Sequence, residues 1–387
     1  MTEWQVKKVG DIADTQLGKM LNKGKQSGKH AKPYLRTDNV HWGRFDLSEI
    51  KEMDILPEEQ DKYLATKGDL LMCEGGASGR TALWNEDYNI SFQNHVHRIR
   101  PKDPKEISPK YLLYYFEWFI KNGFASDLIK GVTISSLSQS SLRSIEVTYP
   151  LIDEQHKIVE LLEDHLSRLD VALADVKQAK IKAAQFRRSL IQFAFRRRLV
   201  DEQEKSNWTT AQLSDLADIG WGDLQVTKKS YVDSGYVAYS ATGADGFLPY
   251  FDYDSEGIIV SAIGANCGRI FKASGKWSCI KNTMRILPKN SSILIDYLFH
   301  YLSDSTIFPK RGSGQPFIGQ QDAREIEISF PSVAEQQKII DFVEYSLSRL
   351  DLSMKLAEQM ENQAVGLRRS LLHAAFTGQL TKEVVSV

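Results

Sequence analysis

The sequence predicts an α+β chain with a pseudo-twofold internal repeat. Two domains of mixed α and β are each followed by a long helix, and the two helices pair as an antiparallel coiled coil. Three observations carry this. Residues 150–200 lie over residues 331–381 without a gap at an offset of 181, with about 20 of 51 positions identical. Apolar residues recur every seven positions in both copies, with charges between them. Each copy opens acidic and ends basic, which suits its own helix dipole and a partner running the other way.

Before the first helix, residues 1–150 form the first domain. Trp4, Val9 and Asp11-Ile12-Ala13-Asp14 return as Trp208, Leu213 and Asp215-Leu216-Ala217-Asp218. Each Trp reads as core, without chemistry. Lys19 to Lys32 is rich in Lys and Gly and predicts a mobile loop. It is either merely solvated or a phosphate-touching arm carrying Lys25 and Lys29; the Gly-x4-Gly-Lys-Ser/Thr spacing of a nucleotide loop is absent.

Gly68-Asp69-Leu70-Leu71-Met72 predicts a buried strand running into Gly75-Gly76-Ala77-Ser78-Gly79-Arg80. The second half repeats this as Gly257 to Ser261, then Gly264-Ala265-Asn266-Cys267-Gly268-Arg269. Glycines let a backbone approach another surface closely. The Arg that follows can fork onto a guanine edge or a phosphate, or simply close a hairpin. Gln93-Asn94-x3-Arg98 and Lys281-Asn282-x2-Arg285 come next. An Asn amide matches adenine, and is as readily a turn residue. Tyr111 to Ile120 and Leu294 to Leu302 predict short aromatic helices. Each half then has a polar loop, Gly131 to Ser136 with Thr133 and Ser135, and Gly312 to Ile318 with Gln315. Each closes on a period-two strand, Ile145-Val147-Tyr149 and Ile326-Ile328-Phe330 in alternation.

The first helix, residues 151–200, carries Leu162, Leu169, Val176, Ala183 and Leu190 in one row and Leu166 and Leu173 in a second. Ala172, Ala179, Phe186 and Phe193 are expected to widen that stripe. The second, residues 332–381, offers Val343, Leu350, Ala357, Ala364 and Leu371 with Leu347 and Met354. Ser332 with Glu335 predicts a capping box, and Gly378 a left-handed cap. Gly366 costs about 1 kcal/mol against Ala without breaking the helix. About 35 residues at 1.5 Å each give a rod on the order of 50 Å. Residues 201–207 are a polar linker to the second domain, residues 208–331.

Composition narrows the function. The chain has 387 residues, 42% hydrophobic and 26% charged, which predicts two or three domains. No run of 18 apolar residues predicts a membrane span. Met1-Thr2-Glu3-Trp4 has no leader pattern, and Cys73, Cys267 and Cys279 form no framework, so a cytoplasmic protein is expected. Net charge is −1, with 31 Lys+Arg against 27 Asp+Glu in residues 1–200 and 18 against 23 thereafter. Any nucleic-acid surface is therefore a local patch, or a partner supplies charge. No catalytic set appears: no Asn/Asp-Pro-Pro-Tyr/Phe run, no Gly-x-Ser-x-Gly, no His-Glu-x-x-His. Asp38 with Glu49-x-Lys51 imitates a magnesium nuclease site only loosely. His95 and His97 alternate on a predicted strand and are not a ligand pair.

With the duplicated Pro-x3-Glu-Gln, Ser-Arg-Leu-Asp, Arg-Arg-Ser-Leu and Ala-Phe helix, the chain resembles the specificity (S) subunit of a type I restriction–modification enzyme. The resemblance takes in Tyr34-Leu35-Arg36-Thr37-x-Asn39-Val40, Gly68 to Leu71, Gly79-Arg80, Tyr239 to Gly243 and Gln315 to Ile318. It implies two target-recognition domains that read the halves of a split, asymmetric double-stranded DNA site. It also implies two methyltransferase subunits docked on the helices, with restriction subunits joining for cleavage. S-adenosylmethionine, ATP and magnesium then belong to the partners, and this chain is non-catalytic and binds no cofactor. The DNA-contacting residues expected are Lys25, Lys29, Arg36, Arg80, Asn94, Arg98, Thr133, Ser135, Tyr239, Asn266, Arg269, Lys281, Asn282 and Gln315. Arg168, Arg187, Arg188, Arg349, Arg368 and Arg369 are expected to face the methyltransferase subunits. At about 3.4 Å per base pair the rod spans roughly 15 base pairs. The alternatives are a self-contained DNA methyltransferase or nuclease, or a coiled-coil scaffold without DNA contact.

Overall fold

The computed structural model describes residues 4–22, 24, 27–130, 136–195, 208–304 and 306–383. They fall into two units, Met1–Asp175 with Met360–Val387, and Val176–Gln359. Each unit holds one domain, the start of the long helix that follows it, and the end of the other long helix.

In the first unit the apolar run after Gly68 becomes the strand Leu70–Cys73, all four residues buried, as an unbroken hydrophobic run requires. It lies between Thr81–Leu83 and Val96–Pro101 in an antiparallel sheet edged by Ala13–Leu17. A second sheet has the order Lys51–Asp54, Ala31–Leu35, Ile90–Phe92, Leu64–Ala65, with Ile90–Phe92 parallel to Ala31–Leu35. The second unit repeats both orders. Ala217–Trp221, Thr283–Pro288, Gly257–Ser261 and Ile270–Ala273 form one sheet; Gly243–Leu248, Tyr236–Ser240, Lys276–Cys279 and Tyr253–Asp254 form the other. The period-two strands are Glu146–Tyr149 and Glu327–Phe330. They pair antiparallel with Gln5–Lys8 and Thr209–Gln212, just after Trp4 and Trp208. Trp208 is buried and Trp4 packs against its unit's core.

The long helices are Ile152–Phe195 and Val333–Phe376, 44 residues each. Leu162, Leu166, Val176 and Leu190 are buried, and Val343 and Ala364 likewise. The seam is narrower than expected. Ala172, Ala179, Phe186 and Phe193 are exposed, because two apolar rows already fill the space between paired helices. In the first unit Arg368 reaches Asp170 at 3.8 Å. In the second, Arg187 pairs with Asp351. Each pair joins an early turn of one helix to a late turn of the other, so the segments run antiparallel, as the charge trend predicts. At the start of the second helix the Glu335 carboxylate accepts from the Ser332 amide and hydroxyl. At its end Gly378, φ 72°, donates to Ala375, and Gln379 to Ala374, a Schellman closure.

Each helix is fixed to its own domain by a fully buried glutamine. Gln155 Oε1 accepts from the Ser108 amide, and its Nε2 donates to the Glu106 and Pro150 carbonyls. Gln336 repeats this with the Leu294 amide and the Ser292 and Pro331 carbonyls. The aromatic helices Pro109–Lys121 and Ile295–Leu302 sit alongside. Tyr111 and Tyr115 donate to the Thr148 and Glu146 carbonyls, and Tyr297 and Tyr301 to those of Ser329 and Glu327. The end of the opposite long helix covers these rings. Phe376 lies 5.2 Å from Tyr111 and 5.3 Å from Tyr115, and Phe195 lies 4.9 Å from Tyr297.

The first unit adds a buried charge. Glu117, 2% exposed, accepts two hydrogen bonds from Arg368, at 2.9 and 3.1 Å, and one from Lys121. Burial pushes its pKa up, but Arg368 and Lys121 outweigh burial and hold it below the ordinary value. No helix among the described residues is long and apolar enough to cross a membrane.

Two outcomes follow from this packing. Gln155→Leu or Gln336→Leu strands one amide and two carbonyls, and urea unfolding should show a loss of at least about 2 kcal/mol. Glu117 contributes fully above the ordinary 4.5 and loses its contribution as pH falls through its depressed folded value. Arg368→Ala should therefore destabilise the protein by about 3 kcal/mol at neutral pH, and by less once acid has protonated Glu117.

Candidate nucleic-acid interface

In each domain three segments meet at one end. In the first, Gly79 donates to the Cys73 carbonyl and Cys73 to that of Arg80, closing the glycine turn. Glu74 donates to the His95 carbonyl, and Gly75 bridges to Ser136. Turn, strand start and polar loop are thus tied by backbone bonds. In the second, Gly268 donates to Ser261, Ser261 to Arg269, Ala262 to Asn282, Gly264 to Pro316 and Ile318 to Ala262. A glycine makes each crossing possible. A Cβ on Gly18 would lie 2.2 Å from the Gln93 carbonyl oxygen, and one on Gly222 2.5 Å from that of Ile280.

Strand pairing corrects the alignment of the two asparagines. Val96 and Thr283 oppose Cys73 and Ser261, and Pro101 and Pro288 oppose Ala13 and Ala217. Arg98 and Arg285 therefore match without a gap, and the counterpart of Asn282 is His95. Asn94 instead matches Lys281, and its backbone N–H donates to the Lys19 carbonyl.

Several residues expected at a DNA surface are bonded within their own domain, and one of them, Arg98, is buried. Arg98, 7% exposed, donates to the Asp61 and Leu64 carbonyls and lies over Phe92. Burial is the chief cause of its lowered pKa. An inward strand position decides this, which residue type alone does not reveal. Arg80 donates to the Thr37 carbonyl at 2.9 Å and its Nε is buried. Tyr239 donates to the Lys272 carbonyl and stands edge-on to Trp277. Arg36 lies between Asp38 and Glu49, at 3.7 and 3.4 Å, and Lys51 also reaches Glu49. The acidic pair that loosely resembled a metal site is thus bound by cations. Among the described residues no group of three or more His, Cys, Asp or Glu could hold a metal ion.

The remaining residues face outward. Arg269 is exposed beside Asn266 and Phe271, and Lys281 and Gln315 are exposed. Lys29 is exposed too, on a turn gathered round one carboxylate. The Asp54 carboxylate accepts from the Ser27 hydroxyl and from the amides of Ser27, Gly28 and His30, and the Ser27 bond leads in holding its pKa low. Lys25, Thr133 and Ser135 lie outside the described residues. His97 is buried on the Leu137 carbonyl, whereas His95 is exposed on Glu74, so the two do not converge.

A polar cluster missed in the sequence lies beside Asn282. Asp245 accepts from Lys228, Ser240, Thr242 and Tyr231. Burial opposes its charge, but these four bonds win and bring the carboxyl down to about 2. Ser240, Thr242, Lys228, Lys281 and Asn282 line one depression. Of the arginines expected to meet partners, Arg168, Arg188 and Arg349 are exposed. Arg187 and Arg368 are paired within their units as described, and Arg369 donates to Asn122 at 3.0 Å. Arg187 and Arg369 are exposed all the same, and Arg368 is partly buried.

Two outward-facing polar ends on a duplicated scaffold describe a double-headed recognition protein. The model of the type I restriction modification DNA specificity domain matches residues 1–183 and 205–362. The chain belongs to that family. It is 22% identical over 409 residues to a putative type I restriction enzyme MjaX specificity subunit of Methanocaldococcus jannaschii, covering 98% of this chain and 94% of that one. It is 22% identical to the type I restriction enzyme StySPI specificity subunit of Salmonella potsdam, covering 91% and 83%. A solved chain from a type I R-M system shares the fold at a TM-score of 0.80 and 15% identity, over 97% of this chain and 98% of that one. The HsdS subunit of Thermoanaerobacter tengcongensis does so at 0.62 and 15%, over 97% of each. These relatives support a DNA-recognition subunit and give no support to a self-contained enzyme or a bare scaffold.

The structure separates supporting arginines from surface ones. Arg98→Ala should lower stability by about 2 kcal/mol by emptying a buried side-chain site and removing its bonds to the Asp61 and Leu64 carbonyls, while Arg269→Ala should stay within about 0.5 kcal/mol of the parent. Thermal unfolding of the two variants checks both.

Proposed function

We propose that this chain is the non-catalytic specificity subunit of a type I restriction–modification complex. Each domain reads one half of a bipartite, asymmetric DNA site. One observation carries this: the two domains present the same backbone at their polar ends and different side chains on it. That is what two readers of unlike half-sites need. Arg269, Asn266, Lys281, Asn282 and Gln315 are the outward residues suited to the second half-site. In the first, Lys29 suits phosphate, which positions without specifying.

Both long helices carry exposed apolar residues at matching places, Val171 and Leu352, and Phe186 and Leu367. An apolar side chain facing out in two equivalent positions suits two copies of one partner. We assign these faces, with Arg168 and Arg349 beside them, to two methyltransferase subunits, with restriction subunits joining for cleavage. S-adenosylmethionine, ATP and magnesium would be bound by those subunits.

Purified alone with S-adenosylmethionine and DNA, the chain should turn over nothing; with methyltransferase subunits it should direct methylation to one split sequence, read by methylome sequencing. Methylation by the chain alone would overturn the proposal. Arg269→Ala should reduce discrimination at one half-site by about 1–3 kcal/mol, measured as competition between cognate and single-base-changed duplexes.

A further inference from the structure

His95 and Asn282 are the non-glycine residues with left-handed backbone among the described residues, at φ 76° and 70°. Few non-glycine residues adopt this conformation, and glycine does so freely. The turn alone would be served by glycine, yet both domains keep a side chain here, and a different one. The backbone is held independently of that side chain. The two carbonyls accept from Glu74 and Ala262, and the strands Val96–Pro101 and Thr283–Pro288 begin at the next residue.

The side chains are placed to meet a ligand. His95 Nδ1 lies 3.0 Å from the Glu74 carboxylate, on a side chain 59% exposed. A carboxylate accepts, so Nδ1 donates to it, and Nε2 makes no hydrogen bond to any described residue. Asn282 makes no side-chain hydrogen bond to any described residue, though it lines the depression with Ser240, Thr242, Lys228 and Lys281. Its amide keeps both a donor and an acceptor open, the pattern that matches an adenine edge. Both residues stand where the glycine turn and the polar loop meet.

We infer that His95 and Asn282 are specificity-determining residues, each contacting a base edge in its own half-site, with Glu74 orienting the His95 ring. This rests on the chain being a DNA specificity subunit. It replaces Asn94 with His95 as the reader in the first domain.

The test uses the full complex expressed in cells and methylome sequencing as its readout. His95→Gly, Asn282→Gly and, as a control, Asn94→Ala are compared with the parent chain. Glycine suits both turns, so each purified variant complex should melt with the parent. His95→Gly should raise methylation at sites altered in one half-site about tenfold relative to the cognate sequence, leaving the other half unchanged. Asn282→Gly should do the same to the opposite half, and Asn94→Ala should change neither. Unaltered discrimination in both glycine variants overturns the inference. So does a lowered melting point or loss of methylation at all sites, since the residue would then be structural. A parent complex that yields no split motif overturns the underlying reading instead, and is seen before any variant is scored.

Discussion

Much of this architecture depends on one buried amide used twice. Gln155 and Gln336 each satisfy one backbone N–H and two carbonyls where a strand ends, a loop turns and a 44-residue helix begins. A side chain with both a donor and an acceptor is needed there, and its length must match the gap. Glutamate would have no amide protons for the two carbonyls, and Asn would be one methylene short. The direction of each helix relative to its domain is thereby set by short, geometrically demanding bonds. An apolar contact would set it less strictly, because hydrophobic burial has no preferred direction.

Around that fixed point the two units keep the same backbone and differ in side-chain chemistry. The tyrosine pairs, the strand orders and the glycine crossings all recur. Among the ion pairs, Arg368 with Asp170 recurs as Arg187 with Asp351, but the buried Glu117 of the first unit does not recur. The first unit holds a helix end through Glu117, Arg368 and Lys121; the second uses Gln192 on Asp304 at 3.0 Å. A buried charge demands a partner at close range, which Glu117 finds in Arg368, while Arg187, in the equivalent place, pairs with Asp351. Backbone hydrogen bonds carry no such demand, which is why they persist while surface chemistry diverges.

The sequence made the large-scale plan legible because its signals are collective. A gapless offset of 181, a sevenfold stripe and opposed charge gradients each sum over dozens of residues. The strands after Gly68 and Gly257, the aromatic helices and the Gly378 cap were readable for the same reason: their patterns bind neighbours in the chain. The candidate site was only partly legible. Arg98 and Arg269 look alike in sequence, but strand facing buries one and exposes the other. Asn94 appeared to match Asn282 by residue type, and only strand register shows that His95 does. The bonds that Ser27, Gly28 and His30 make to Asp54 are not legible in the Lys-rich stretch, because that carboxylate lies about two dozen residues further along. Phe186 and Phe193 looked like seam residues, since a repeat of seven does not state how wide the seam is. The shared offset of Trp4 and Gly18 from Trp208 and Gly222 was available in the sequence and would have located both crossings.

The placement of Phe376 against Tyr111 and Tyr115 has a consequence for how the chain is made. Tyr115 of the first unit leaves the ribosome 261 residues before the ring that covers it. At typical synthesis rates that is an interval of roughly 15–50 s. Throughout it the nascent first domain carries an open aromatic ledge that nothing yet synthesised is built to fill. Vectorial synthesis therefore leaves the first domain waiting on the second long helix, and protection of that ledge falls to whatever attends the ribosome until Phe376 emerges.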